Sequence, residues 1–183
     1  MSQQKTTEEY QAIITGCKDI FQKKTQDYGT AWRILRPSSL TDQILIKASR
    51  IRTIQEKGTQ KVKDDIPSEF IGIINYCLMA LIQLELGRSD TADLSADEAM
   101  AHYDRYAQVA QDLMLQKNHD YGEAWRMMRV SSMTDLILQK LLRVKQIEDN
   151  QGATLISEGL DANYLDIVNY AVFSLITLKE TTI

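Results

Sequence analysis

The sequence predicts an all-α protein in which two tandem copies of a three-helix unit pack around a pseudo-twofold axis. The first observation is a repeat: the segment Asp27–Arg33 recurs 93 positions later as Asp120–Arg126, with both tryptophans of the chain inside it. The second is the scarcity of glycine (8 residues) and proline (2 residues), which leaves few breaks and favours long helices. The third is that no period-two strand pattern occurs along the chain.

The match between the two copies extends beyond that segment. Seven more residues of the first copy recur at the same offset: Arg36, Ser38, Ser39, Thr41, Asp42, Lys47 and Arg50. Further along the offset grows to 94, where Asn75 meets Asn169. We therefore predict a first repeat at residues 1–87, a linker at 88–94 and a second repeat at 95–183, which together form one compact unit.

Charge and composition exclude several classes of protein. The net charge of −4 and the isoelectric point near 5.2 provide no basic stripe, so binding along a nucleic-acid backbone is not expected. The N-terminus has no apolar core, and no apolar run approaches the roughly 18 residues of a membrane span. Cys17 and Cys77 lack metal-type spacing and indicate buried packing in a reducing compartment. We expect a cytoplasmic protein without a membrane partner.

Each repeat is predicted to begin with a capped helix. Thr6 with Glu9, and Ser95 with Glu98, form capping-box patterns in front of apolar residues at helical spacing. This first helix should end near the Asp-Tyr-Gly motif, because the motif's glycine suits a turn with positive φ. A polar and aromatic loop is expected to follow.

Two further helices complete each repeat. The second should open at a Ser-x-x-Asp pattern, which begins at Ser39 and at Ser132. After a less ordered stretch, the third helix should run from about residue 67 to 86 and from about 160 to 179. This third helix is apolar around much of its circumference, so we expect it to be the most buried.

Paired cations on the second helices are candidates for binding phosphate. Lys47 and Arg50, like Lys140 and Arg143, lie three residues apart and flank the apolar face of their helix. Two such cations at the rim of a cavity can hold phosphate. The alternative is that their stems cover apolar surface while their charged ends stay in water.

An asparagine inside the most apolar helix of each repeat needs a partner. Asn75 and Asn169 occupy this position, where asparagine costs about 0.6 kcal/mol relative to alanine. Each amide is therefore expected to bond either a neighbouring helix or a ligand.

Three carboxylates near the start of the last helix are candidates for binding a hard cation. Glu158, Asp161 and Asp166 together suit Mg²⁺, which prefers a few carboxylates plus water. Acids that favour the N-terminal helix dipole are the alternative, which explains Asp166 poorly because it lies deeper in the helix. The first copy has Gly72 at the matching position, so we expect the two copies to be functionally unequal.

The repeated motif supplies further candidate contacts. Its aspartates can cap turn donors, its arginines can neutralise phosphate, and its aromatic side chains can anchor the core or stack on a base. These candidates are Asp27, Tyr28, Trp32 and Arg33 in the first copy and Asp120, Tyr121, Trp125 and Arg126 in the second.

Three ordered motifs carry a resemblance to a known family. The chain resembles the nucleotide modification associated domain 1 family in three motifs: Asp-Tyr-Gly-x-Ala-Trp, an Asp-x4-Lys-x2-Arg helix and a terminal Asp-x2-Asn-Tyr. The resemblance is best over Asp120 to Tyr170. The resemblance implies a role in nucleotide or modified-base metabolism. The helical layout is also similar to the all-α pyrophosphatases of the MazG and dimeric dUTPase type, which bind Mg²⁺ through a Glu-x2-Glu pair. Lys140-x2-Arg143 stands in place of that pair.

The combined expectation is a protein that binds a small-molecule nucleotide. Its finer form is a Mg²⁺-dependent nucleoside triphosphate pyrophosphohydrolase, in which Lys140, Arg143 and Arg126 neutralise phosphate charge and Tyr121 or Trp125 packs on the base. The rival is a non-catalytic helical interaction module. No catalytic residue is identified, and the sequence leaves a homodimer open.

Overall fold

The fold is a bundle of helices, seen in a computed structural model that describes residues 2–62 and 64–181. Within these ranges there are six α-helices and no β-strand. The helices are α1 (Ser2–Tyr28), α2 (Pro37–Lys57), α3 (Ile66–Leu86), α4 (Ala96–Tyr121), α5 (Val130–Asp149) and α6 (Leu160–Thr181). The predicted all-α fold class is confirmed.

The two repeats have the same order of elements. Each long first helix ends at the Asp-Tyr-Gly motif, and the expected loop contains a short 3₁₀-helix, at Ala31–Ile34 and at Ala124–Met127. Gly29 and Gly122 adopt φ values of 61° and 63°, which confirms the predicted positive-φ turn. In the interior α3 packs on α6 and α2 on α5, while α1 packs on α4. Each helix thus meets its counterpart from the other repeat.

Reciprocal ion pairs between α2 and α5 show the pseudo-twofold relation. Lys145 Nζ lies 2.8 Å from Asp42, and Arg52 Nε lies 3.8 Å from the equivalent Asp135. The serine capping boxes predicted for these helices do not form, because both helices begin earlier and have arginine as the N-cap residue. The two aspartates instead link the repeats.

The buried asparagines also link the repeats. Tyr103, from α4, donates a hydrogen bond of 2.8 Å to the Asn75 side chain in α3, and Tyr10, from α1, donates one of 2.6 Å to Asn169 in α6. Each amide nitrogen donates to a backbone carbonyl of its own repeat's first helix at 3.1 Å. Both asparagines are therefore satisfied by helices, which is the structural alternative of the prediction.

The first helices start differently from each other. Ser95 and Glu98 form the predicted capping box at the start of α4. Because α1 already begins at Ser2, Thr6 lies inside that helix, where it is buried and accepts a hydrogen bond of 2.9 Å from Arg126. The predicted capping box at Thr6 is therefore wrong.

The third helix of the first repeat is the most apolar element. By length and composition α3 qualifies as a candidate membrane span. The sequence-based expectation that no apolar run is long enough for a membrane span is therefore wrong. More than half of its apolar window is buried within the bundle, as in the core helix of a soluble fold. Both cysteines are buried and unbonded, as predicted.

Candidate functional site

The second repeat holds a buried carboxylate between two lysines. Asp166 is buried on α6, and its two oxygens accept hydrogen bonds from Lys140 of α5 at 2.8 Å and Lys117 of α4 at 2.7 Å. Burial lowers the pKa of Lys117, but the hydrogen bond and charge of Asp166 outweigh it, so the pKa is raised overall. One carboxylate thus joins all three helices of the repeat.

The first repeat has the same lysines but a different acid. Lys24 and Lys47 correspond to Lys117 and Lys140, whereas Gly72 stands in the place of Asp166. The acid lies one helical turn earlier, at Glu69, which is 3.2 Å from Arg50 Nη1 and 3.6 Å from Lys47 Nζ. In this repeat the principal partner of the acid is therefore the arginine.

This exchange changes how the loop before the third helix is held. Arg50 donates a hydrogen bond of 2.7 Å to the Asp64 carbonyl, so it fastens the loop to α2. The equivalent Arg143 is exposed and has no ion pair or side-chain hydrogen bond among the described residues. In the second repeat the residue that corresponds to Glu69 is Asn163, whose side chain donates a hydrogen bond to the Gly159 carbonyl and not to a cation.

A wide groove lies between α5 and the segment 150–158. Its volume is about 1310 Å³, and Lys140, Arg143 and Glu158 are among its charged lining residues. Gln146 and Asn150 contribute amide groups, while an apolar rim is formed by Leu142, Leu155 and Ile156. All three of these apolar side chains are exposed. The groove combines cationic, amide and apolar surface.

A smaller pocket lies in the first repeat, between α1, α2 and α3. Its volume is about 300 Å³, and its lining includes Lys24, Lys47, Gly72, Asn75 and Tyr76. Lys47 and Asn75 both line this pocket. In the second repeat the equivalent Lys140 lines the groove, but the equivalent Asn169 does not.

The three carboxylates proposed to hold Mg²⁺ do not form one cluster. Asp166 is occupied by two lysines, and Glu158 lines the groove whereas Asp161 does not. Among the residues that the structure describes, no group of three or more His, Cys, Asp or Glu side chains is arranged to hold a metal ion. In this conformation the carboxylates therefore do not fit a three-ligand Mg²⁺ site.

The arginines of the repeated motif hold the fold together. Arg33 is buried and donates to the linker residue Asp93 at 2.9 Å, to the Gly87 carbonyl at 2.7 Å and to Gln83. Arg126 makes ion pairs with three carboxylates, from Glu9, Glu123 and Glu180. Because these guanidinium groups are occupied, neither is available to a phosphate in this conformation.

The aromatic residues of the motif divide into core and surface groups. Trp125 is buried and stacks on Phe173 with a ring-centroid distance of 4.2 Å, while Trp32 contacts Phe21 at 6.2 Å. Their tyrosine and aspartate neighbours are exposed: Asp27, Tyr28, Asp120 and Tyr121. None of these candidate residues lines the groove or the pocket.

Comparison with known families identifies the chain. A family model described as nucleotide modification associated domain 1 matches residues 24–84 and 117–178. The chain belongs to this family. Each segment contains one lysine pair and one arginine of the constellation described above, and the match in two segments supports the duplication. No curated protein and no solved structure matches the chain, so the likeness to the MazG type rests on layout alone.

Two lysines of the site were not identified from the sequence, and the pairing of Glu69 was not predicted. Lys24 and Lys117 match at the same offset of 93 as the tryptophans, so the repeat itself contained the signal. Glu69 has no acidic counterpart, since Asn163 stands there. Its pairing with Arg50 became visible only when α2 and α3 were placed side by side.

Proposed function

We propose that the protein binds a nucleotide in the groove between α5 and the segment 150–158, with Arg143 as the main phosphate contact. The observation that carries this proposal is the exposed guanidinium of Arg143, which has no ion pair within the described ranges and lies in a large groove of a nucleotide modification associated domain. A planar guanidinium makes bidentate, charge-assisted hydrogen bonds to phosphate oxygens.

The remaining surface of the groove suits a nucleoside. Ligand pockets usually measure about 300–1,000 Å³, so a groove of about 1310 Å³ has room for a nucleotide. Leu142 and Ile156 provide apolar surface for a base, and the amides of Gln146 and Asn150 can hydrogen-bond to its polar edge. These groups explain binding of a nucleotide better than binding of phosphate alone.

Lys140 is assigned a supporting role. Its ammonium lines the groove but is already bonded to Asp166 at 2.8 Å. A phosphate on Arg143 gains from this second positive charge, although Asp166 partly neutralises it. Arg143 should therefore contribute more to affinity than Lys140.

Hydrolysis with Mg²⁺ is the finer part of the proposal. Mg²⁺ is usually held by one or two carboxylates together with the phosphates of the substrate, and Glu158 is a carboxylate that lines the groove. Release of pyrophosphate from nucleoside triphosphates, with and without Mg²⁺, distinguishes a hydrolase from a binding protein. The binding proposal stands on Arg143 in either case.

The test is calorimetric titration of the parent and two variants with a panel of ribo- and deoxynucleotides. Arg143→Ala should weaken binding roughly 10- to 100-fold, because a hydrogen bond to a charged group contributes about 1.5–3 kcal/mol. Arg129→Ala is the control, since Arg129 is exposed beside α5 but outside the groove. Equal affinity of the parent and Arg143→Ala, or no nucleotide binding by the parent, contradicts the proposal.

One observation favours a second candidate, an interaction module. Leu155 and Ile156 are fully exposed at the rim of the groove, and adjacent exposed apolar side chains are typical of contact surfaces. In that case the groove contacts a protein, and a second copy of this chain is the simplest partner. Light scattering of the parent beside a Leu155→Ser/Ile156→Ser variant tests it: loss of a dimer supports the module, and a monomeric parent contradicts the homodimer.

A further inference from the structure

The two repeats place the acid of the third helix differently around the same lysine pair. In the second repeat, Asp166 supplies a carboxylate to Lys117 and Lys140 at 2.7 and 2.8 Å. In the first repeat the corresponding residue is Gly72, which has no side chain, and the 300 Å³ pocket lies beside Lys24 and Lys47. The first repeat thus keeps both cations but lacks the anion that joins them.

We infer that the first-repeat pocket binds a small oxyanion group, a phosphate or a carboxylate, which pairs with Lys24 and Lys47 as the Asp166 carboxylate pairs with Lys117 and Lys140. The second repeat then shows the bound arrangement through its own side chain. This site is distinct from the proposed nucleotide groove, and it lies on different helices.

The charges around the pocket support this inference. Lys24 is exposed and has no ion pair or side-chain hydrogen bond among the described residues. Lys47 is only loosely paired, since its ammonium lies 3.6 Å from Glu69 and 5.7 Å from the Tyr76 ring centroid. Arg50 also pairs with Glu69, so that carboxylate is shared between two cations. An added anion would complete the charge pairing of both lysines.

Acidic groups at the pocket limit the charge that it can take. Asp64 and Glu69 both line it, and Arg50 compensates Glu69 at 3.2 Å. A volume of about 300 Å³ accommodates a phosphate-sized group and lies at the lower limit for organic ligands. A terminal phosphate or carboxylate of a small metabolite therefore fits better than a whole nucleotide.

The glycine lets the Lys47 stem lie against the backbone of α3 at the edge of this pocket. A Cβ atom at Gly72 would lie 2.8 Å from Lys47 Cε and 2.9 Å from Cδ, so the lysine stem rests directly against the helix backbone. A longer side chain here would displace the flexible lysine and occupy the space beside it. An aspartate would in addition supply the missing carboxylate, as Asp166 does for Lys140.

The experiment exchanges the two residues between the repeats. Inorganic phosphate and acetate are titrated into the full-length protein by calorimetry. The parent should bind one anion, and Gly72→Asp should weaken binding at least tenfold because its own carboxylate fills the site. Asp166→Gly should add a second site. The source of the anion is distinguished by which probe, phosphate or acetate, binds more tightly.

A second pair of variants keeps the inference testable if either exchange impairs folding. Lys24→Ala should weaken anion binding at least tenfold, whereas Lys23→Ala should leave it unchanged, because the adjacent Lys23 is paired with Asp19 and lies outside the pocket. Absence of anion binding in the parent, or equal binding by the parent and Lys24→Ala, overturns the inference. Loss of nucleotide binding in Arg143→Ala alone concerns the groove and leaves the pocket unaffected.

Discussion

The two repeats share a core but differ in where the third helix places its acid. In the first repeat Glu69 pairs mainly with Arg50, and in the second Asp166, one helical turn later in register, pairs with two lysines. The position of this carboxylate, one turn apart in the two repeats, thus decides which cation of the site has no ion pair among the described residues: Lys24 in the first repeat and Arg143 in the second. Duplicated folds can therefore acquire two different surfaces without changing their helices.

The buried contacts, in contrast, are nearly identical in the two halves. Each asparagine is bonded by a tyrosine from the other repeat and by a carbonyl from its own. These bonds are shielded from water, so loss of one partner leaves the other unsatisfied. Three measurements test this difference between core and surface, and their expected effects range from several kcal/mol down to a degree or two in Tm.

The largest effect is expected in the shared core. Asn169→Ala removes two buried hydrogen bonds and leaves the Tyr10 hydroxyl without its partner, so the free energy of unfolding should fall by about 2–4 kcal/mol. Asn75→Ala should lower the free energy of unfolding by the same amount, within about 1 kcal/mol. Urea denaturation measures both.

Removing the tyrosine partner serves as the control for this prediction. In a Tyr10→Phe/Asn169→Ala double variant the orphaned hydroxyl is gone, so the combined loss should be smaller than the sum of the two single losses. Additive losses would show that Tyr10 and Asn169 are not coupled. A large difference between the two asparagine variants would show that the two halves of the core are not equivalent.

The middle effect concerns the two arginines. Arg50→Ala removes the pairing with Glu69 and the bond to the Asp64 carbonyl, so it should destabilise the protein by about 1–2 kcal/mol. Arg143→Ala should change stability by less than about 0.5 kcal/mol, because that side chain is exposed and makes no ion pair with the residues that the structure describes. Thermal unfolding of both variants measures the difference, and equal losses would show that the loops are held alike.

The smallest effect concerns Glu148, which replaces the Gln55 of the first repeat. Partial burial raises the pKa of the Glu148 carboxyl, although the hydrogen bond from Thr41 partly offsets this. A carboxyl with a raised pKa in the folded state destabilises that state once it ionises, so stability falls as the pH rises past its unfolded pKa. Removing the charge should therefore help at neutral pH.

Glu148→Gln should raise the Tm by about 1–2 °C at pH 7, a small gain because the half-solvated carboxyl is screened. The gain should disappear at a pH low enough to protonate the parent's carboxyl. Calorimetric scans at both pH values measure it, and a gain that is larger at low pH would reverse the assigned sign.

Local sequence patterns determined the architecture of this protein. Helical spacing of apolar residues and the glycines that end the first helices depend on neighbours within a few positions, so they predicted the helix order and the turn with positive φ. The tandem repeat predicted that both halves have the same elements. The predicted starts of two helices were wrong, because Thr6 and Ser39 fit a capping pattern but lie inside helices that begin earlier.

The partners of the charged residues were decided only by the tertiary structure. The sequence could mark Asp166 as unusual, but its lysine partners come from α4 and α5, and helical spacing says nothing about which helices pack together. Likewise Arg126 looked available for phosphate until Glu9, from the other repeat, was placed 2.7 Å away. Charge pairing depends on the distance between the two groups, because the attraction between them weakens within a few ångströms. That distance is set by how segments that are far apart in the sequence pack together. That is why the sequence supplied the candidate cations, and only the packed helices showed which of them pair with a carboxylate of the described chain.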